Sequence, residues 1–162
     1  MNLVGPGPVQ EHFDDCALAL EGLSPAGRWA DLGSGAGFPG LPLAALWPEL
    51  RVDLVESRRK RCTFLEHVLE EAEVDPGRVR VLCDRVERID GPYDGVVSRA
   101  FTAPEGFLEH AARLLRPGGV AVLFLQGDAE VPADQRFEVF HVEPYRLGPK
   151  HRKSVALRLL GD

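Results

Sequence analysis

The stretch Asp31-Leu32-Gly33-Ser34-Gly35-Ala36-Gly37-Phe38-Pro39-Gly40-Leu41-Pro42 sets four glycines and two prolines within twelve residues. Trp29 and Ala30 lead into it, and Leu43, Ala44, Ala45, Leu46 and Trp47 lead out of it. An apolar run, a glycine-dense turn and a second apolar run read as strand, tight turn and helix. Glycine takes positive φ at no steric cost and lets a ligand approach the backbone. A helix that begins just beyond the turn offers unpaired N–H groups. The stretch is therefore read as a cofactor loop of the nucleotide-binding kind.

The whole chain has 162 residues, 44% hydrophobic and 27% charged, which suits one domain with one sizeable core over residues 1–162. No apolar run approaches the roughly 20 residues that span a bilayer, and Met1-Asn2-Leu3-Val4-Gly5-Pro6 lacks the pattern of a secretory signal. A cytoplasmic protein is expected. Cys16, Cys62 and Cys83 are odd in number and lack metal-type spacing. They read as reduced, half-buried cysteines, with no metal site. A net charge of −6 argues against a general nucleic-acid-coating protein but leaves room for a local basic patch.

The chain alternates. Residues 1–8 form a Gly/Pro-rich lead-in, and 11–23 carry Phe13, Cys16, Ala17, Leu20 and Leu23 at helical spacing. Residues 28–32 are the first strand, and Pro42 is well placed near the start of the next helix. Residues 51–56 alternate as a second strand, and 58–73 place Cys62, Leu65, Leu69 and Ala72 on one helix face. Strands follow at 78–83 and 93–98. A helix over 104–116 is closed by Pro117-Gly118-Gly119, and the apolar run 120–125 is a strand covered on both faces. Residues 136–142 and 154–160 read as two more strands, joined by a loop containing Pro144, Gly148 and Pro149. The pattern predicts an α/β fold: a mostly parallel, doubly wound, seven-stranded sheet with an antiparallel C-terminal strand.

Two cofactor classes compete for the loop. Gly35-Ala36-Gly37-Phe38-Pro39-Gly40 satisfies the dinucleotide fingerprint G-x-G-x-x-G. Yet Gly35 lies two residues beyond the natural strand end at Gly33, and Pro39 and Pro42 crowd the helix start where a pyrophosphate would sit. The phasing Asp31-x-Gly33-x-Gly35-x-Gly37 resembles the first motif of class I S-adenosylmethionine (SAM) methyltransferases. SAM brings no phosphate, but it brings a cationic amino group and a sulfonium, which Asp31 can face. Glu56 closes the second strand, where a carboxylate accepts ribose hydroxyls. Asp84 closes the third, near where an adenine amino group sits in such folds. Three carboxylates thus end three consecutive strands. The alternative is that these acids only keep loops soluble, and it weighs more heavily for Asp84 than for Asp31 and Glu56.

The fourteen residues from Asp31 to Ala44 resemble the signature of the RsmG (GidB) family, with Phe38-Pro39-Gly40-Leu41-Pro42 as its distinguishing part. Further matches follow in order: Glu56-Ser57-Arg58-Arg59-Lys60-Arg61 with Phe64-Leu65, then Arg85-Val86-Glu87, then Tyr93 to Phe101. Upstream, Asn2-Leu3 and His12 with Asp15 also match. The resemblance implies a class I, Rossmann-like methyltransferase that modifies N7 of a guanine in small-subunit ribosomal RNA. It implies that Gly33, Phe38, Val86, Glu87 and Arg99 contact SAM and that Glu56 binds the ribose; Asp31, Gly35, Gly37 and Asp84 join the cofactor set from the loop and strand-end reading above. The chain departs from the family in three places. The family's helical N-terminal extension is largely absent before Asn2. Leu125-Gln126-Gly127 stands where the family usually has Leu-Lys-Gly. The basic segment Lys150-His151-Arg152-Lys153-Ser154 matches loosely.

Guanine N7 is already nucleophilic, so this chemistry needs no general base and rests on positioning. Arg99 and His12 are candidates for substrate positioning; His67, His110, His141 and His151 read as structural or surface groups. Four cations, Arg58, Arg59, Lys60 and Arg61, open a helix against its macrodipole, at roughly 0.3–1 kcal/mol each when exposed. Phosphate contact explains that arrangement; a solvated face paired with Glu66, Glu70 and Glu71 is the alternative. With Lys150, Arg152 and Lys153 the cluster forms the expected RNA-binding set. The expected partner is the small ribosomal subunit, the expected state a monomer. The competing function is a shortened, SAM-binding relative that has lost activity on ribosomal RNA or methylates a smaller acceptor.

Overall fold

The structure, a computed structural model, describes residues 7–161. The part of the expected lead-in at residues 1–6, including Asn2-Leu3, lies outside the described residues. The elements run α1 (Val9–Ala19), β1 (Arg28–Leu32), α2 (Gly40–Leu46), β2 (Arg51–Val55), α3 (Arg59–Glu71), β3 (Val79–Leu82), a 3-10 turn (Val86–Arg88), β4 (Tyr93–Ser98), α4 (Pro104–Leu114), β5 (Leu115–Gln126), β6 (Phe137–Leu147) and β7 (Lys150–Leu159). They build one seven-stranded sheet in the order β3-β2-β1-β4-β5-β7-β6. Strands β1 to β5 pair in parallel, and β7 is antiparallel to both β5 and β6. The order reverses at β1, with β2 on one side and β4 on the other, so the C-terminal end of β1 faces the switch-point crevice.

Alternation along the strands divides the core into two layers. Trp29, Val52, Leu54 and Val97 pack with Leu43 of α2 and with Leu65 and Leu69 of α3. Ala30, Leu32 and Val96 pack on the opposite face with Phe107, Leu108, Ala111 and Leu114 of α4. These four sit one helical stripe apart, and each large side chain among them contributes about 1.5–3 kcal/mol by leaving water. Gly95 is explained by packing, because a Cβ there would overlap the Trp29 indole.

Three expected boundaries move. Helix α1 ends at Ala19 rather than Leu23, and Gly22 takes positive φ in the turn that follows. Pro117-Gly118-Gly119 does not close α4; it lies inside β5, where Leu115 pairs with Tyr93 and the register shifts before Gly95 pairs with Val120. The terminal strands are also longer than expected. Pro144 is within β6, paired with Lys153, because β6 is an edge strand where a missing N–H breaks no ladder.

The cysteines are a correction. Cys62 and Cys83 form a disulfide, with Cα atoms 5.7 Å apart, and only Cys16, on the buried face of α1, is free. The first turn of α3 packs on the end of β3 and brings the two sulfurs together, which a separation of 21 residues does not signal. Protein purified without reductant and denatured is expected to titrate one thiol, rising to three after reduction. Three thiols before reduction would contradict the pairing.

Candidate functional site

Where the glycine loop, the ends of β2 and β3 and the segment after β4 meet, a cavity of about 410 Å³ opens. That size is in the range of small-molecule sites, about 300–1,000 Å³. Gly33, Glu56, Asp84, Val86, Glu87 and Phe101 line it, together with Arg58 and Arg61 at the start of α3. The predicted Gly33, Glu56, Asp84, Val86 and Glu87 therefore converge on one space. Ser57, Arg85, Ala100 and Phe101 also line it, beyond the site residues expected from the sequence. Ala100 has φ 57°, an unusual conformation for a residue with a Cβ, in the turn just after Arg99.

Glu56 ties the cavity wall together. Gly35 N–H donates to its Oε2 at 3.0 Å and Arg58 N–H to its Oε1 at 2.8 Å. Arg61 Nη1 lies 3.7 Å from Oε2. The carboxylate thus pins the glycine loop and accepts from the backbone at the cation-rich start of α3. Each oxygen retains acceptor capacity for a ligand hydroxyl. Asp84 is half-exposed; its Oδ1 accepts the Arg85 N–H at 2.8 Å and lies 3.6 Å from Arg88 Nη1.

Asp31 is placed beneath the loop, outside the cavity lining. It is 0% exposed, and its Oδ2 accepts the Gly40 N–H at 3.0 Å. Its Oδ1 has no partner. Gly40 is required here, since a Cβ would run into Asp31 and Leu54. Burial pushes the Asp31 carboxyl up to about 7, against the opposing pull of its donors. The folded chain therefore holds this proton more tightly than the unfolded chain does. Unfolding free energy should fall as pH rises from about 4 to 7 and level off above, by at most about 4 kcal/mol at roughly 1.4 kcal/mol per pH unit. Asp31→Asn is expected to lose this slope. Urea titrations of both proteins from pH 4 to 8 measure it, and parallel pH profiles would contradict the assignment.

The remaining predicted residues fall into two groups around the cavity. On the glycine loop, Gly37 lies against Leu41, and the half-buried Phe38 ring packs on His12, centroids 5.7 Å apart. Arg99, at the end of β4, has its guanidinium 5.3 Å from the Phe38 centroid and Nη1 3.3 Å from His12 Nδ1. Burial and then Arg99 hold His12 below its usual pKa. Arginine only donates, so His12 Nδ1 accepts, and the proton of the neutral ring falls on Nε2, a buried atom without a partner. On the outer rim, Arg58, Arg59 and Lys60 are exposed and, among the described residues, none has a carboxylate within 4.0 Å of its side-chain nitrogens. The alternative, a face paired with Glu66, Glu70 and Glu71, is not formed among the described residues. Arg152 and Lys153 line a second cleft of about 630 Å³ near the hairpin end of β6–β7 together with Tyr145 and Arg146, and Lys150 lies at the hairpin end outside its lining. Among the described residues no cluster suited to a metal ion is found, and no helix is long and apolar enough to cross a membrane.

The switch-point cavity and the sheet order with its reversed β7 are those of the Rossmann-like fold of class I methyltransferases. Solved structures agree on the fold. TrmN from Thermus thermophilus superposes with a TM-score of 0.70 at 21% identity, over 97% of this chain and 55% of that one. An M. jannaschii protein crystallised with AdoMet superposes with a TM-score of 0.73 at 12% identity, over 99% and 81%. The chain belongs to the GidB family, rRNA small subunit methyltransferase G, whose model matches residues 5–144. Curated relatives named ribosomal RNA small subunit methyltransferase G include one from Xanthomonas euvesicatoria, 40% identical over 74% of this chain and 55% of its own length. Another, from Mycolicibacterium vanbaalenii, is 39% identical over 98% of this chain and 75% of its own length. A third, from Azoarcus, is 38% identical over 77% and 60%. Several of these matches thus span little more than half of the relative.

Proposed function

We propose that the protein transfers the methyl group of SAM to N7 of a guanine in small-subunit ribosomal RNA, acting as a monomer in the cytoplasm. The carrying observation is the convergence of Gly33, Glu56 and Asp84 on one cavity at the switch point of a chain in this family. The residues fit the cofactor. Glu56 keeps acceptor capacity for ribose hydroxyls, and Asp84 lies at the adenine end. Buried Val86 supplies an apolar wall, and Asp31 has an unused acceptor atom beneath the loop.

Bound SAM would supply a methyl carbon activated by the adjacent sulfonium, for which N7 is a competent nucleophile without a base. The chain's own work is then to orient both reactants. Arg99 and His12 stand beside the loop, where Arg99 offers positive charge to the amino-acid end of the cofactor. His12 accepts from Arg99 through Nδ1 and packs on the Phe38 ring, which holds the guanidinium beside the loop. Arg58, Arg59, Lys60 and Arg61 on one side and Lys150, Arg152 and Lys153 on the other supply positive charge for phosphates. This local patch lets a chain of net charge −6 engage RNA.

Tritiated methyl transfer from SAM to small subunits, to deproteinised ribosomal RNA and to small acceptors tests the reading. Label in ribosomal RNA, recovered as 7-methylguanosine, is expected. No label there, under conditions where S-adenosylhomocysteine binds by calorimetry, would reject the RNA substrate and favour a smaller acceptor. Replacing Arg59 and Lys60 together by alanine is expected to reduce the salt slope of RNA binding by about 1.4–1.8, at roughly 0.7–0.9 per phosphate contact. Homocysteine-nucleoside affinity should not move, since neither side chain lines the cavity. An unchanged slope would remove these two cations from the RNA face.

A further inference from the structure

Beside the cavity, three segments distant in sequence meet on one carboxylate. Asp15 of α1 is 2% exposed. Its Oδ1 accepts the Tyr145 hydroxyl at 2.8 Å. Its Oδ2 lies 3.3 Å from Arg99 Nη1 and 3.5 Å from Arg152 Nη1. Tyr145 and Arg152 are direct partners across the β6–β7 ladder, and Arg152 also registers with Gln126 at the end of β5.

The arrangement is more than a satisfied buried acid. A structural carboxylate needs donors; it does not need two cations on one oxygen. Tyr145 occupies Oδ1 and leaves Oδ2 to both guanidiniums, which would repel each other without the negative charge between them. The Tyr145 hydroxyl is held protonated by burial and by Asp15, so it acts as a donor only. Two cations against one anion leave one unit of positive charge over, and Arg152 Nε is buried without a partner. The two arginines also face different neighbours. Arg99 lies over Phe38 of the glycine loop, and Arg152 lines the basic cleft at the hairpin end.

We propose that Asp15 is a positioning residue that sets Arg99 and Arg152 at a fixed separation, with Arg99 serving the amino-acid end of the methyl donor and Arg152 a phosphate of the RNA acceptor. One buried carboxylate then fixes the register between the two reactants, which is what a reaction driven by positioning requires. The proposal rests on the methyltransferase reading above.

Double-mutant cycles test it, because residues that act through one another give non-additive losses. Asp15→Asn is expected to weaken S-adenosylhomocysteine binding about tenfold, the scale of one charged hydrogen bond, and to lower kcat/KM for ribosomal RNA. In an Arg99→Ala background it should cost cofactor affinity no more than about twofold, and in an Arg152→Ala background the same should hold for kcat/KM. Tyr145→Phe keeps both arginines and the carboxylate while freeing its rotation. It is expected to show smaller losses, about threefold, with the same non-additivity, and it carries the test if Asp15→Asn does not fold. Full additivity in both cycles, or unchanged affinity and kcat/KM in both single variants, would overturn the role of Asp15. Failure of the unsubstituted protein to bind S-adenosylhomocysteine would instead overturn the cofactor reading itself.

Discussion

Glu56→Ala is expected to weaken S-adenosylhomocysteine binding by about a hundredfold or more, measured by calorimetry. Hydrogen bonds to a charged group are each worth about 1.5–3 kcal/mol, and two ribose hydroxyls would lose their acceptor. The same carboxylate also takes the Gly35 and Arg58 N–H groups. Removing it takes the charged acceptor from two part-buried donors, at no more than about 1–3 kcal/mol each. The variant should therefore lose stability as well as affinity. Glu56→Gln separates the two effects. Its amide retains one acceptor but turns an N–H toward a backbone N–H, so affinity should fall less than in the alanine variant and still clearly. Affinity within threefold of the unsubstituted protein in Glu56→Ala would remove Glu56 from the cofactor site.

Gly33→Val should be as damaging through a different route. Gly33 sits at φ 73° in the turn between β1 and the loop, with its N–H donating to Val55 O at 2.9 Å. A Cβ there would overlap the Phe101 ring. Left-handed backbone costs a residue with a Cβ about 1–2 kcal/mol, and a β-branched side chain suffers more. Displacing Phe101 adds overpacking of about 1–3 kcal/mol. The sum corresponds to a drop in Tm of about 10 °C for a domain of this size. Because Gly33 and Phe101 both line the cavity, cofactor binding should be undetectable even where the variant remains folded. Folded protein with intact S-adenosylhomocysteine affinity would show that the cofactor lies elsewhere.

What the sequence discloses follows the range of the interactions concerned. The glycine loop is legible because a strand, a turn of positive-φ residues and a helix start are all set by neighbours within a dozen positions. The strand-end acids are legible for the same reason: alternation places Glu56 and Asp84 at the ends of β2 and β3. Asp31 is found correctly at the end of β1, but its side chain turns under the loop to meet Gly40, a direction that spacing alone does not reveal. The disulfide escapes because Cys62 and Cys83 are joined by packing of α3 on β3, not by any spacing rule. The lengths of β6 and β7 escape because Pro144 is a stop signal only in a strand with neighbours on both sides. Tyr145 gives no local sign of its role, since its partner Asp15 lies 130 residues earlier.

The position of β7 between β5 and β6 also dictates the order in which the chain can mature. During synthesis β6 emerges before β7, its one strand partner among the described residues, so its apolar Val139, Phe140 and Val142 have no sheet neighbour until β7 follows. Helix α1, made first, waits longest: Ser154 bonds to Ala19 O and Tyr145 to Asp15 only once the hairpin closes. Contacts of such long sequence separation form late and slowly. Nascent chains that stop short of β7 would hold α1 only through His12 on Phe38 and Asp15 on Arg99, and closure of the C-terminal hairpin adds the remaining ties.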